Sequence, residues 1–206
     1  MGELFLQEGS CGTVTIEEIA AVRGKVREMQ NFRRFEHTLG VAHTAACLAF
    51  LNGVDPLRAE LAGYLHDCAK CFPDSELVRL CGEAGIPLSE EELASPQVIH
   101  AVYGPYLAEH ELGITDPEIL SAIRYHTTGR PGMSVLEMII FIADFIEPLR
   151  NQAPNLKEAR ALAFTDPEEC VYNILAATVS YLGGRNALIV PDTLAAYEWY
   201  KKKKGH

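Results

Sequence analysis

The stretch YLHDCAKCFPD, residues 64–74, contains two short patterns that indicate different chemistry. Cys68 and Cys71 form a C-x-x-C pair, and His66 and Asp67 form a His-Asp dipeptide directly before it. A zinc site on the cysteines requires a second C-x-x-C or a matched Cys/His pair, and a thioredoxin-like site requires a βαβ context. The sequence shows neither, so we interpret both thiols as packing residues.

The composition is that of a soluble globular chain. It has 206 residues, of which 48% are hydrophobic and 22% charged, and six dispersed cysteines that we expect to be reduced. A chain of this length buries roughly 70% of its unfolded surface, so its core needs neither disulfides nor a structural metal. No run approaches the ~20 apolar residues of a membrane span, and residues 1–7 lack the basic start of a signal peptide. We therefore expect a cytoplasmic protein with no membrane partner.

The formal net charge of −10 argues against nucleic acid as a partner, because a phosphate backbone requires a basic surface. The only dense basic run is Lys201–Lys204, and we interpret residues 201–206 as a solvated or frayed basic tail. A polyanion can still bind to an acidic protein where metal ions and a few Arg or Lys side chains reverse the local field.

Helix-start signals recur along the chain. Thr15–Glu18 and Ser134–Glu137 fit the capping box, and four further cap residues precede a proline: Asp55, Ser95, Asp116 and Asp166. The pattern predicts an all-α single-domain helical bundle over residues 15–200, with residues 1–14 as an N-terminal extension. The predicted helices lie near 15–29, 36–52, 56–70, 75–84, 96–112, 117–127, 135–147, 157–163, 167–182 and 192–203.

Two of the seven aspartates are not explained by local backbone chemistry. The other five lie at or next to predicted helix starts, where a carboxylate caps or favours the helix dipole: Asp55, Asp74, Asp116, Asp166 and Asp192. Asp67 and Asp144 instead lie in apolar runs. An ionised carboxylate there is costly unless it is paired or coordinated, so both are expected to have cationic partners.

The seven histidines divide in the same way. His206 is terminal, His110 lies in the last turn of a predicted helix, and His43 is turned by roughly 240° around its helix from His37. Four remain: His37, His66, His100 and His126. A lone histidine on an apolar face is more often a hydrogen-bonded core residue. Four of them with two unexplained aspartates in one small domain are most simply explained by a polynuclear metal site.

The ordered set His37, His66-Asp67, His100, His126 and Asp144 resembles the HD superfamily of metal-dependent phosphohydrolases. The resemblance extends from about residue 31 to 195. Four segments are similar to one branch, the bacterial YqeK-type symmetrical diadenosine tetraphosphate hydrolases: RFEHTLGVA, AGYLHDCAK, AIRYHTTGRPGMSVLEMIIFIADFIEP and YLGGRNALIVPDTLAA. The family does not require the two cysteines of HDCAKCFP, and residues 1–14 match no motif.

The resemblance implies a set of metal ligands. One ion is expected on His37, His66, Asp67 and Asp144. In dinuclear members Asp67 bridges to a second ion on His100 and His126; with a single ion those two histidines contact phosphate oxygens instead. Imidazole and carboxylate ligands without thiolate suit iron, manganese, cobalt or zinc, and the resemblance favours iron.

The resemblance also implies residues that face the substrate. Lys70 is four residues after His66, so a continuous helix presents both on one face. Lys70 and Arg130 are expected to neutralise phosphate charge, and with Asp67 they are the predicted catalytic residues. Arg34 is a further candidate. The predicted substrate contacts are His37, Lys70, His100, His126, Thr127, Thr128, Arg130 and Arg150.

The implied reaction is hydrolysis of diadenosine tetraphosphate, or a related dinucleoside polyphosphate, to two ADP by a metal-activated hydroxide. Two alternatives stay open: a nucleotide phosphohydrolase of other specificity, and a non-catalytic metal-dependent nucleotide-binding module. A guanosine tetraphosphate hydrolase is disfavoured because Ala69-Lys70 stands where that group has an acidic pair. VYGPY, residues 102–106, is likewise not the signature of the related cyclic-dinucleotide phosphodiesterases. A homodimer is one expectation for the assembly.

Overall fold

The computed structural model describes residues 13–205, so most of the predicted N-terminal extension lies outside the described residues. Over that range the regular elements are eleven α-helices and two 3-10 turns, Cys68–Cys71 and Pro96–Val98, which confirms the all-α prediction. The helices are α1 (Ile16–Met29), α2 (Phe32–Leu51), α3 (Pro56–Leu65), α4 (Asp74–Glu83), α5 (Glu90–Ala94), α6 (Ile99–His110), α7 (Pro117–Tyr125), α8 (Val135–Ile146), α9 (Leu156–Leu162), α10 (Pro167–Gly183) and α11 (Pro191–Lys204).

Most predicted caps form as expected. Thr15 and Ser134 each complete a capping box with the glutamate three residues later. The carboxylates of Asp55, Asp116 and Asp166 accept backbone N–H groups at the starts of α3, α7 and α10. The predicted cap at Ser95 is wrong: its side chain makes no cap hydrogen bond. Its backbone N–H instead donates to the carbonyl of Glu92 and closes α5.

Two predicted helices need correction at their ends, and one helix was missed. Helix α2 begins at Phe32 and not at residue 36, because the Asn31 side chain accepts from the N–H of Arg34 at 2.9 Å. Helix α5 was not predicted, although Ser89 and Glu92 form a complete capping box. The predicted helix 96–112 is a 3-10 turn followed by α6, which continues through Pro105.

The predicted continuous helix 56–70 is also wrong, and its break lies at the His-Asp pair. Helix α3 ends at Leu65, and Asp67 has φ −108° and ψ 23°, outside the helical range. The Asp67 carbonyl accepts from the N–H of Lys70 at 3.0 Å and from Nε2 of Gln30 at 3.1 Å. His66 and Asp67 therefore lie at the end of a helix, where the backbone turns.

The basic run at the end of the chain is ordered, so the frayed-tail interpretation is wrong for residues 201–204. These lysines form the last turn of α11. Lys203 Nζ lies 2.6 Å from a Glu168 carboxylate oxygen, and Lys204 Nζ lies 2.7 Å from Asp166. Cations are favoured at a helix C-terminus, and here they also pair with the N-cap and a first-turn carboxylate of α10.

Helix α8 forms the centre of the bundle. Its residues 136–143 are all buried, and it packs against α2, α7 and α10. Helices α2 and α3 pack closely enough that a Cβ added to Gly63 would lie 2.5 Å from the Cα atom of Ala42. Within residues 13–205, no helix combines the length and the apolar character needed to cross a membrane.

Gly63→Ala is expected to destabilise the fold by about 1–3 kcal/mol, since α3 must move away from the backbone of α2. The matched control is Gly82→Ala in α4, where an added Cβ meets no atom within 4 Å. Alanine is the better helix former, so the control is expected to keep or slightly raise stability. Urea unfolding followed by circular dichroism measures both, and equal midpoints for the two variants would contradict the close packing at Gly63.

Candidate metal centre

Six side chains from five helices meet at one buried cluster, and they are the six predicted metal ligands. His37 comes from α2 and Asp144 from α8, His66 and Asp67 follow α3, His100 lies in α6, and His126 follows α7. The Nε2 atoms of His37 and His66 are 3.3 Å apart, and those of His100 and His126 are 3.2 Å apart. The predicted set is thus brought together as two facing histidine pairs.

Asp67 lies between the two pairs. Its Oδ1 atom is 3.2 Å from Nε2 of His100 and 3.5 Å from Nε2 of His126. Its Oδ2 atom is 3.5 Å from Nε2 of His66 and 3.8 Å from Nε2 of His37. Each pair with Asp67 forms a group of three ligand atoms within 4.8 Å of one another. One carboxylate oxygen faces each pair, so Asp67 would contribute a ligand to an ion held by either pair.

Hydrogen bonds at Nδ1, the ring nitrogen that faces away from the cluster, fix the tautomers of His66 and His126. Nδ1 of His66 lies 2.7 Å from the Gly63 carbonyl oxygen, and Nδ1 of His126 lies 2.8 Å from the Ile123 carbonyl oxygen. A carbonyl only accepts, so each Nδ1 holds the proton and each Nε2 turns a lone pair toward the cluster. Metal-ligating histidines in proteins characteristically have such an outer hydrogen bond.

Glu147 has the same role for His37 and was missed in the sequence. Its Oε1 atom accepts from Nδ1 of His37 at 3.2 Å, and its Oε2 atom accepts from the N–H of Leu149 at 2.6 Å. The side chain is buried against Gly40. Its position three residues after Asp144, at the end of α8, is the sequence signal that could have identified it.

His100 differs from the other three rings because its Nδ1 atom faces a donor. Nζ of Lys70 lies 2.9 Å from this atom and 3.3 Å from the Gln97 carbonyl oxygen. A protonated lysine only donates, so His100 then has its proton on Nε2 and acts as a hydrogen-bond donor toward the cluster. Ligation of an ion by His100 requires Lys70 to turn away or to lose its proton. Burial lowers the pKa of Lys70 and outweighs the attraction of Asp67.

The expected cationic partners of the two unexplained aspartates are present. Nη1 of Arg34 lies 2.7 Å from Oδ2 of Asp67, and Nη2 of Arg150 lies 2.8 Å from Oδ1 of Asp144. Nε2 of His37 lies 3.2 Å from the same Asp144 oxygen. Arg34 and Arg150 were both predicted as substrate-side residues, and both lie directly beside the cluster.

The cluster shifts the proton affinities of its members in opposite directions. Burial raises the pKa of Asp67, but the charge that His66 carries when protonated and the hydrogen bond from His100 outweigh it and hold that pKa well below its ordinary value. Burial is outweighed in the same way at Asp144, whose pKa is lowered by the hydrogen bond with His37. The pKa of His37 is raised, because Asp144 and Asp67 overcome the opposing effect of burial. Both carboxylates are therefore ionised at neutral pH.

The remaining predicted residues separate into those inside and outside the cluster. Oγ1 of Thr127 lies 2.9 Å from Nε2 of His126, which places it inside. Thr128 is buried and donates to the carbonyl of Gly129. Nε of Arg130 lies 3.0 and 3.1 Å from the two carboxylate oxygens of Glu137. The structure thus gives Thr128 and Arg130 partners other than the six ligands.

The two cysteines of the C-x-x-C pair make backbone contacts. Cys68 is fully buried and its thiol donates to the Gly104 carbonyl, while the Cys71 thiol donates to the carbonyl of Cys68. Burial raises the pKa of both thiols, so the protonated form is favoured. Both cysteines are free, as are the three others in the described range. Cys68 is packed in the core as predicted, whereas Cys71 is exposed, so the interpretation as a packing residue is wrong for Cys71.

The HD domain family model matches residues 34–149, which include all six cluster residues. This chain belongs to the HD domain family. The symmetrical bis(5'-nucleosyl)-tetraphosphatase of Halalkalibacterium halodurans is 44% identical over 166 residues, which cover 80% of this chain and 87% of that protein. The protein of the same name from Bacillus subtilis is 39% identical over 183 residues, which cover 89% and 95%.

A solved structure supports the same assignment. It is a crystal structure described as a predicted HD superfamily hydrolase involved in NAD metabolism, from Clostridium acetobutylicum. The two chains superpose with a TM-score of 0.85 at 32% sequence identity, covering 89% of this chain and 97% of the other. The HD domain fold is therefore shared over nearly the whole length of both proteins.

Glu147→Gln is expected to lower metal affinity by about 10–100-fold, because the neutral amide no longer raises the basicity of His37. The matched control is Glu92→Gln, which removes a carboxylate that pairs with Arg124. Isothermal titration calorimetry of the metal-stripped variants with Mn²⁺ measures both affinities. Equal affinities in the two variants would show that Glu147 does not support a ligand.

Proposed function

We propose that this chain is a metal-dependent phosphohydrolase that cleaves diadenosine tetraphosphate symmetrically into two ADP. The observation that supports this most directly is the placement of Asp67 between two histidine pairs, with one carboxylate oxygen toward each. The two relatives that cover 80% and 89% of this chain have symmetrical cleavage of such compounds in their names. A non-catalytic nucleotide-binding module has no need of such a centre.

The donor set fits a divalent metal, because four imidazoles and two carboxylates converge without a thiolate. A divalent metal held there supplies a nucleophilic water of lowered pKa and a Lewis acid for phosphate oxygens. We propose iron, as one or two ions, on His37, His66, Asp67, His100, His126 and Asp144. The same ligands also accept manganese, cobalt or zinc.

The positive groups beside the cluster are proposed to hold the phosphate chain. Arg34, Arg150 and His37 line one cavity of about 700 Å³, and Lys70 reaches the cluster next to His100. Arg34 and Arg150 already pair with Asp67 and Asp144. Together with a bound divalent metal, these groups are proposed to reverse the field of a protein with a net charge of −10 where the phosphates enter. The Thr127 hydroxyl, which lies beside His100 and His126, is proposed to donate to a phosphate oxygen.

Arg130 is proposed to stabilise charge on the departing ADP, and Thr128 stays a predicted substrate contact. The pair with Glu137 uses Nε of Arg130, whose side chain is 37% exposed, while Glu137 is buried. The ion pair with buried Glu137 therefore holds the guanidinium in place, while part of the Arg130 side chain remains exposed to solvent. It also lies over the ring of Tyr125, 5.2 Å from the centroid.

Arg130→Ala is expected to reduce kcat/KM by about one to three orders of magnitude, with metal content unchanged, as for the loss of one charge-stabilising donor. Glu137→Gln is the matched control, since it weakens the same ion pair and keeps the guanidinium. Steady-state kinetics on diadenosine tetraphosphate, with urea unfolding of both variants, separates the two effects. An equal loss of activity in both would assign Arg130 a structural role only.

The test of the proposed function is product analysis in oxygen-18 water with metal-loaded protein. The expected result is ADP as the only nucleotide product, with Asp67→Asn abolishing turnover and lowering bound metal. Cys71→Ser serves as a control and is expected to retain activity and metal. AMP with ATP would refute the symmetrical cut, and stoichiometric binding without turnover would support the non-catalytic alternative.

We further propose a cytoplasmic location and one catalytic domain over residues 15–200, between an N-terminal extension at 1–14 and the basic residues 201–206. The absence of a nucleic-acid partner is proposed from the net charge of −10. A homodimer stays a prediction that sedimentation at micromolar concentration would test.

A further inference from the structure

Two cavities lie next to each other on the surface beside the cluster. The first, of about 700 Å³, is lined in part by Phe32, Arg34 and His37. The second, of about 510 Å³, is lined in part by Phe145 and Tyr181. Arg150 and Gln152 line both cavities and so form the wall between them. Each volume is within the range of about 300–1,000 Å³ that holds small-molecule ligands.

The wall between the cavities is attached to the metal centre. Nη2 of Arg150 donates to Oδ1 of Asp144 at 2.8 Å, and its Nε donates to the Asp144 carbonyl at 2.9 Å. The first cavity reaches the cluster directly through His37, and the second begins at Phe145, the residue after Asp144. None of the six ligands lines the second cavity, which meets the centre only through Arg150. A phosphate chain that extends from His37 past Arg150 would therefore have one cavity on each side of this side chain.

Each cavity has an exposed aromatic side chain. Phe32 is 67% exposed at the start of α2, and Tyr181 is 46% exposed near the end of α10. Arg33 lines the first cavity, and the guanidinium of Arg185 lies over the Tyr181 ring at 4.4 Å from the centroid. Exposed aromatic rings beside cations are suited to stacking nucleobases, and each such contact is worth about 1–3 kcal/mol.

We propose that the two cavities are the two nucleoside subsites of one dinucleoside tetraphosphate, with Phe32 stacking one base and Tyr181 the other. This inference rests on the proposed function and deepens it. With one nucleoside on each side of Arg150, the middle of the phosphate chain lies at the cluster. The symmetrical cut then follows from the placement of two base contacts around one centre.

The first test compares Phe32→Ala and Tyr181→Ala with Phe50→Ala, a control in α2 whose ring is 77% exposed and lines neither cavity. Each subsite variant is expected to lose about 5–150-fold in kcat/KM on diadenosine tetraphosphate, mainly through KM, with metal content unchanged. Phe32→Tyr and Tyr181→Phe are expected to retain activity, because they keep the ring.

A substrate with a single base distinguishes two subsites from one. Adenosine 5′-tetraphosphate can place its base in whichever cavity is intact, so each single alanine variant is expected to cost less on this compound than on diadenosine tetraphosphate. The double variant is expected to show the full loss on both compounds. The proposal would be overturned in favour of one subsite by the following result. One single variant loses the same factor in kcat/KM on both compounds, and the other single variant loses none on either compound.

The outcome for the wild-type protein separates this inference from the function on which it rests. If the wild-type protein releases ADP and both subsite variants have the same kcat/KM as Phe50→Ala, the two subsites are overturned. The proposed function then stays intact. Wild-type protein that is metal-loaded and releases no ADP would refute the proposed function itself.

Discussion

The buried carboxylate of Asp67 is the constraint on which the rest of the structure depends. It is 4% exposed and is surrounded by four imidazole rings and the Arg34 guanidinium. An ionised carboxylate is tolerated at such a depth only where positive charge and hydrogen bonds surround it completely. Helices from distant parts of the chain must therefore end or pass at this point, and the bundle is arranged so that they do.

The break after α3 provides this arrangement. A side chain on the middle of a helix faces one direction, whereas Asp67 follows the last turn and lies between two histidine pairs. The close packing at Gly63 brings α3 against α2, and the Gly63 carbonyl also orients His66. A single residue thus sets both the distance between two helices and the tautomer of a ligand.

The sequence predicted those features that depend on nearby residues. Caps such as Thr15 and Asp116 formed because the side chain and the backbone N–H that it accepts from are two or three residues apart. Asp67 and Asp144 were identified because local chemistry did not explain them, and the resemblance then supplied their roles. Glu147 was missed because its partner, His37, is 110 positions away.

The same limit explains the error at the end of α3, whereas the missed α5 and the early start of α2 had local caps at Ser89 and Asn31. The end of α3 depends on Gln30, which donates to the Asp67 carbonyl from 37 positions away and supports the turn there. Likewise, the pairs of Lys203 and Lys204 with α10 convert an apparent tail into a helix end. Local signals predicted a helix at 192–203 but not its ion pairs with α10, and they did not predict the break after Leu65, because these contacts exist only after the bundle has assembled.

The origin of the cluster in five helices links metal occupancy to the integrity of the entire domain. His37 and Asp144 are far apart in the chain, so an ion bound to both would close a long loop. The same ion would bind the unfolded chain more weakly, because the ligands are not assembled there. By mass action, free metal at about 100 times its dissociation constant adds about 2.7 kcal/mol to folding stability. An ion held by the cluster would thus act as a reversible cross-link between helices from distant parts of the chain.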